Sequence, residues 1–249
     1  MNYNWNWRIF WEMSPDAAGT YFDTLLNGLW WTIATALLAW VMALVLGALV
    51  GTLRTVPRRA CVVLANAYIE LFRNIPLLVQ MFLWYFVVPE LLPTELGNWV
   101  KALPNSAFLT AVLCLGFFTS SRVAVQVSAG IEALPRGQRL AAQALGLTTV
   151  QTYRYVLLPM AFRIVLPPLT SEFLNVIKNS AVALTIGLME LTARARSMQE
   201  FSFQVFEAFT AATLIYVVLN IVVVFLMHRL EKRFAMPGTV VRASPGGGH

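Results

Sequence analysis

The sequence predicts an all-α integral membrane protein that crosses the bilayer five times. Hydrophobic residues make up 58% of the chain and charged residues only 12%, about half the charged share of a typical soluble domain. The mean hydropathy is +0.67. Residues 24–53, 102–121 and 208–228 contain no Asp, Glu, Lys or Arg. Each segment reaches the roughly 20 residues that a helix needs to span the hydrocarbon core, so each is predicted as a membrane span.

Two further apolar segments bring the number of predicted spans to five, although both contain charged residues. Residues 62–88 include Glu70 and Arg73, and residues 164–189 include Glu172 and Lys178. An ionisable side chain inside a span costs on the order of several kcal/mol unless it is paired or hydrated. These four residues are therefore candidates for function.

The positive charges predict how the spans are oriented. Five spans place the two termini on opposite sides, and an outer N-terminus puts twelve of the eighteen Lys and Arg residues on the cytoplasmic face and four outside. The cytoplasmic residues are Arg54, Arg58, Arg59, Arg122, Arg136, Arg139, Arg154, Arg163, Arg229, Lys232, Arg233 and Arg242, and the outer ones are Arg8, Lys101, Arg194 and Arg196. Cytoplasmic loops carry such an excess of positive charge. The basic pI therefore reflects topology, and no basic patch interleaved with aromatic residues indicates nucleic-acid binding.

The sequence offers little for an enzyme. It contains no phosphate-binding G-x-x-x-x-G-K-[ST] motif, and its two histidines supply no catalytic pair or metal site. Cys61 and Cys114 lack metal-ligand spacing, so neither a disulfide nor a metal is expected. The first 23 residues have no basic start or small-residue cleavage site, which argues against a signal peptide. Their Trp5, Trp7, Phe10 and Trp11 are predicted to lie at the lipid headgroups.

An unusual segment, GQRLAAQALGLTTVQTYRYVLLP, occupies residues 137–159 between the third and fourth predicted spans. A short helix is predicted to start at Pro135 and to end at Gly146, because glycine adopts a positive φ at low cost. A second helix over residues 150–157 is predicted to stop at Pro159. The first helix is too short to be stable alone, so it must pack on the membrane domain or on a partner protein.

This segment resembles the EAA loop of ABC-importer permeases, in which a short coupling helix docks on the ATPase subunit. Residues 70–80, ELFRNIPLLVQ, and residues 176–192, VIKNSAVALTIGLMELT, are similar to the second-span and fourth-span signatures of the polar amino acid uptake branch. Within that branch, the residues of these motifs are most similar to those of glutamate/aspartate permease subunits. The resemblance covers residues 25–234.

The resemblance implies a type I ABC-importer permease fold in a bacterial inner membrane, with no cofactor. It implies three protein partners: an ATPase subunit that hydrolyses ATP, a second and paralogous permease subunit, and a periplasmic amino-acid-binding protein. Residues 1–23 are expected to be periplasmic, residues 24–234 to form the lipid-embedded domain with the EAA loop at 132–160, and residues 235–249 to form a disordered cytoplasmic tail. The alternative is a self-sufficient oligomeric channel or secondary transporter, but five spans are few for an inverted repeat.

The resemblance also assigns residues to ATPase coupling. They are Gly137, Arg139, Leu140, Ala141, Ala142, Leu145, Gly146 and Pro159. Leu140 stands where the motif usually has Glu, which removes a charge-assisted contact worth about 1.5–3 kcal/mol if it is desolvated.

The polar residues within the second and fourth predicted spans are candidates for the substrate path. They are Asn66, Glu70, Arg73, Asn74, Gln80, Glu172, Lys178 and Asn179. Pro76 is expected to kink the second span and to free the carbonyl near Phe72. Arg73 is a candidate for selecting an anionic α-amino acid. The alternative is that Glu70–Arg73 and Glu172–Lys178 are structural ion pairs.

Overall fold

The computed structural model describes residues 3–15 and 19–234, and within them the fold is a bundle of helices. The expected cytoplasmic tail, residues 235–249 with Arg242, lies outside the described residues. The helices are α1 (Tyr21–Thr55), α2 (Arg59–Asn74), α3 (Leu77–Phe82), α4 (Val88–Leu91), α5 (Thr94–Ala102), α6 (Ser106–Glu132), α7 (Arg136–Ala144), α8 (Thr149–Thr152), α9 (Leu158–Asn179), α10 (Leu191–Ser202) and α11 (Val205–Phe234).

Four helices in the described part of the chain are long and apolar enough to cross a membrane. They are Tyr21–Thr55, Ser106–Glu132, Thr149–Ile186 and Val205–Phe234, and the bent pair Arg59–Asn74 with Leu77–Leu91 makes a fifth if it is one span. Each of these helices overlaps one of the predicted spans. The third predicted span is shifted, however, because α6 begins four residues later than expected and continues to Glu132.

Helices α1 and α6 approach each other closely because small residues line their contact. A Cβ atom on Gly47 would lie 2.5 Å from the Val123 side chain, and one on Gly51 would lie 2.5 Å from the carbonyl oxygen of Ala124. Small residues are enriched between membrane helices because they let backbones pack closely. Helix α9 joins this pair through the stacked rings of Trp40 and Phe173, whose centroids are 5.1 Å apart.

The second span is broken rather than kinked. Helices α2 and α3 meet at an angle of 99°, and Ile75 and Pro76 between them are extended. Proline lacks the backbone donor and its ring clashes with the preceding turn. Residues that precede proline are also driven to extended backbone, which is why the helix ends here.

Pro159 does not end the second inner helix, so that prediction is wrong. The chain continues from α8 through a π-helical turn, Tyr153–Leu157, directly into α9, with Pro159 in its first turn. Pro89 similarly follows a π-helical turn at Leu83–Val87. The wider turn relieves the clash between the proline ring and the carbonyl one turn earlier.

The N-terminal segment packs across the start of α1 and α11. Ile9 is buried with Tyr21 and Leu25, and the backbone N–H of Asn6 donates to Glu207 at 2.7 Å. The indoles of Trp5, Trp7 and Trp11 remain exposed; their place at the lipid headgroups stays a prediction.

Candidate translocation path and coupling loop

Helix α7 ends as the sequence predicts. Gly146 has a φ of +78°. The Leu147 N–H donates to the carbonyl of Ala142 at 3.1 Å, and the Gly146 N–H donates to that of Gln143 at 2.9 Å. These two bonds form a Schellman motif, which fixes the direction in which the chain leaves the helix.

The predicted coupling residues fall on two faces of this loop. Ala142 is buried and Arg139 is half-buried, and both face the membrane domain. Leu140 is 63% exposed and Leu145 is 82% exposed. The other members, Gly137, Ala141, Gly146 and Pro159, are also exposed. The exposed face of the loop, which points away from the membrane domain, is therefore apolar where the EAA motif usually carries a carboxylate.

A small apolar cluster and one tyrosine hold the loop against the spans. The cluster is made of Ile131, Leu134, Tyr153, Leu157 and Ala161. The Tyr153 hydroxyl donates to the carbonyl of Thr55 at 2.7 Å and accepts from the Thr55 hydroxyl at 3.1 Å. The loop is thus tied to the C-terminal end of α1.

Asn66 lies where α1, α2 and α6 meet. Its side-chain oxygen accepts from Nε of Arg54 at 3.0 Å, and Nη1 of the same arginine donates to Ser128 at 2.9 Å. Arg54, Glu132, Arg136 and Arg139 line a cleft of about 400 Å³ between α1, α6 and α7. Asn66 therefore helps to hold the ends of α1, α2 and α6 together.

The other polar residues of α2 are exposed on one side of the helix. They are Glu70, Arg73 and Asn74. The described residues show no ion pair between Glu70 and Arg73, so the structure gives no support to that pairing. At a rise of 1.5 Å per residue, Arg73 lies roughly 21 Å along α2 from its start at Arg59, in the last turn before the helix break.

Gln80 has a structural role at the helix break and does not continue the stripe of α2. Its side chain is buried, and its Nε2 donates to the carbonyls of Phe72 and Ile75 at 2.8 and 2.9 Å. The carbonyl near Phe72 is freed, as Pro76 predicts, and Gln80 satisfies it. A buried carbonyl without a partner would be costly.

An ion pair that the sequence did not predict joins the fourth span to the third. Oε2 of Glu172 lies 3.7 Å from Nη1 of Arg122, whereas Lys178 is exposed at the last turn of α9 and Asn179 is half-buried. The alternative of an ion pair between Glu172 and Lys178 within the chain is therefore not supported by the described residues. Arg122 was assigned to a cytoplasmic loop, but α6 extends past it, so it lies inside a span.

A buried carboxylate at the start of α10 was also missed. Glu190 caps α10 by accepting from the N–H groups of Thr192 and Ala193 at 3.0 and 2.8 Å. It also accepts from the Tyr216 hydroxyl at 2.9 Å and from Thr32 at 3.4 Å. Glu190 thus joins α1, α10 and α11. The sequence signal for this role is the position of Glu190 just before a helix, where a side-chain oxygen can cap the first N–H groups.

Comparisons with known proteins agree with this architecture. The model of the family described as "Binding-protein-dependent transport system inner membrane component" matches residues 43–236. A solved structure described as "Crystal structure of an amino acid ABC transporter with histidines" has 31% identity and a TM-score of 0.72, over 86% of this chain and 95% of that chain. The inward-facing MetNI methionine ABC transporter shares the fold, with a TM-score of 0.71 and 18% identity, over 86% of this chain and 98% of that one.

The chain belongs to the family of inner membrane components of binding-protein-dependent transport systems, and it is a permease subunit of an ABC importer. Among its relatives, the glutamate/aspartate import permease protein GltJ of Escherichia coli is 48% identical over 243 residues, 96% of this chain and 99% of the relative. The probable amino-acid ABC transporter permease protein PatM of Vibrio harveyi is 34% identical over 84% of this chain and 93% of the relative. The chain is therefore a multi-pass inner membrane protein and a transport subunit, and the ATPase of such importers is a separate chain.

Proposed function

We propose that this permease subunit imports glutamate and aspartate. The observation that carries the proposal is the 48% identity to GltJ along 96% of the chain. The geometry supports it, because charged residues of α2, α6 and α9, namely Glu70, Arg122 and Lys178, are exposed on helices that are candidate membrane spans. Lipid would not tolerate them, so they suit a hydrated path for a charged amino acid.

The proposed arrangement places the N-terminus outside and the C-terminus in the cytoplasm, with five spans. Residues 1–23 then form the periplasmic segment, residues 24–234 the membrane domain and residues 235–249 the cytoplasmic tail. The excess of Lys and Arg supports this orientation, because it then lies on the cytoplasmic side together with the loop at 132–160. The broken pair α2 and α3 counts as one span.

The ATPase is proposed to dock on the outward face of α7. Leu140 and Leu145 present apolar side chains there. Burial of apolar surface stabilises a contact by about 25 cal/mol per Å², and in this proposal it replaces the charge-assisted contact. Tyr153 and Thr55 connect the same loop to α1. Closure of the ATPase on ATP would therefore move α7 and the spans as one unit.

Two other partners complete the proposal. A periplasmic amino-acid-binding protein delivers the substrate to the outer face. A second permease subunit, paralogous to this one, covers the polar residues of α2, α6 and α9. The pathway then lies between the two subunits and alternates between outward and inward openings.

The test is uptake into liposomes that contain the whole complex. Labelled glutamate is supplied with its binding protein and internal ATP, and unlabelled glutamate, aspartate, glutamine and arginine compete. The proposal predicts ATP-dependent uptake that glutamate and aspartate suppress most strongly. Uptake that arginine or glutamine suppresses more strongly would contradict the substrate assignment. Flux through this chain without an ATPase would favour the channel or secondary transporter.

A further inference from the structure

We infer that Arg122 binds a carboxylate of the transported amino acid, and that Glu172 is the counter-ion it exchanges for that carboxylate. The inference rests on the proposed function, since it needs a substrate that carries a carboxylate through this chain. It assigns a binding role to a residue that the sequence places at the edge of a predicted span.

The position of Arg122 is unusual for a membrane helix. Its side chain is 46% exposed at a point about 15 Å from the inner end of a helix that is about 40 Å long. A lone guanidinium at this depth is costly unless it faces water or another protein. The exposed side of Arg122 therefore faces the hydrated path or the second subunit.

The surface beside Arg122 is polar as well. Helix α9, which carries Glu172, exposes Ser171 and Lys178 and leaves Asn175 half-exposed. These three residues lie on one side of α9, because positions three, four and seven apart share a helix face. Together with Arg122, which contacts Glu172, they make this side of α9 polar.

The contact between Arg122 and Glu172 leaves bonding capacity unused. Their closest approach of 3.7 Å is longer than an N–H···O hydrogen bond, in which the donor and acceptor atoms are about 2.7–3.2 Å apart. Oε2 of Glu172 is buried and has no hydrogen bond within the described residues. The guanidinium also lies over the Phe118 ring, 5.4 Å from its centroid, which holds it in place without using its donors.

Such a pair is suited to exchange. A guanidinium has five donors in a fork that matches a carboxylate, and two parallel hydrogen bonds are stronger than a loose contact. A substrate carboxylate that arrives on the exposed side of Arg122 forms those two hydrogen bonds, and the weak contact with Glu172 is lost. When the substrate leaves, Glu172 again neutralises Arg122, so the guanidinium is not left without a counter-ion. Glu172 is a positioning residue in this scheme.

Three variants of the complete complex test the inference: Arg122→Gln, Glu172→Gln and the double variant with both changes. The readouts are equilibrium binding of labelled glutamate to the purified complex and glutamate moved per ATP hydrolysed with the binding protein present. Arg122→Gln is expected to weaken binding and lower the transport ratio at least about tenfold, which corresponds to about 1.4 kcal/mol. Glu172→Gln is expected to tighten binding several-fold and to slow release.

The double variant separates binding from stability, because it leaves no unpaired charge. The inference predicts that it assembles normally yet still binds glutamate as weakly as Arg122→Gln. Recovery of binding and transport in the double variant would show that the pair is structural and would overturn the inference. Arg163→Gln, at an exposed arginine nearer the inner end of α9, is the control and should behave as the wild type. A wild-type complex that neither binds nor imports glutamate or aspartate would instead contradict the proposed function.

Discussion

Opposite faces of α6 are built for opposite purposes. The face toward α1 is closed by glycine and alanine contacts so tight that an added methyl group on Gly51 would meet the backbone of Ala124. The other face carries Phe118 and the half-exposed Arg122, with a long contact to Glu172. One helix then serves both as part of a rigid pair with α1 and as a wall of the proposed substrate path. The closed face favours motion of α1 and α6 as a unit.

The largest expected effect comes from breaking the closed face. Gly51→Val places side-chain atoms on the carbonyl oxygen of Ala124, where a Cβ alone would be 2.5 Å away. Overpacking of this kind costs about 1–3 kcal/mol and more where the backbone must move. We expect a large loss of folded protein, measured as yield in the membrane and as thermal stability in detergent. Gly137→Val has open space around its Cβ and should keep normal yield; equal losses in the two variants would contradict the packing argument.

A smaller effect is expected at the helix break beside the polar face. Gln80→Leu leaves the carbonyls of Phe72 and Ile75 without their donor, which costs about 1–3 kcal/mol for an unsatisfied buried group. The melting temperature of the purified complex should fall, and protease should cut more readily between α2 and α3. Asn98→Leu, a polar-to-apolar change in α5 away from the break, serves as the comparison. If the Gln80 variant melts no lower than that control, the carbonyls have another partner.

The smallest effect is expected where the inner end of α1 meets the loop. Tyr153→Phe removes the hydroxyl that bonds Thr55, at a cost of about 0.5–1.5 kcal/mol. We expect normal assembly but a moderate fall in substrate moved per ATP, since α7 is then tied less firmly to α1. Tyr155→Phe alters a tyrosine that is 63% exposed and should change nothing. An unaltered transport ratio in Tyr153→Phe would remove this link from the mechanism.

The sequence predicted what depends on composition and on local backbone preference. Apolar segments located the spans, and Gly146 ended α7 with a positive φ. The sequence could not predict what depends on partners far along the chain. Arg122 was placed in a loop because a charge was taken as the end of a span, whereas Glu172, fifty residues later in the chain, compensates it.

Proline exposed the same limit in two ways. At Pro76 the chain breaks, and Gln80 satisfies the carbonyls that the break frees. At Pro159 the helix continues, because a π-helical turn is held in place by the packing of Tyr153 and Leu157. Proline alone does not decide between a broken and a continuous helix; the side chains around it do.

The central claim is that the loop containing α7 lies in the cytoplasm and docks on the ATPase. Leu145→Cys, in a chain whose Cys61 and Cys114 are replaced by Ala, puts a thiol at the most exposed apolar position of α7. A membrane-impermeant thiol reagent is applied to right-side-out and to inside-out vesicles, with and without the ATPase subunit. The account predicts labelling only in inside-out vesicles and protection when the ATPase is present. Labelling from the outer side, or undiminished labelling in the assembled complex, would contradict it.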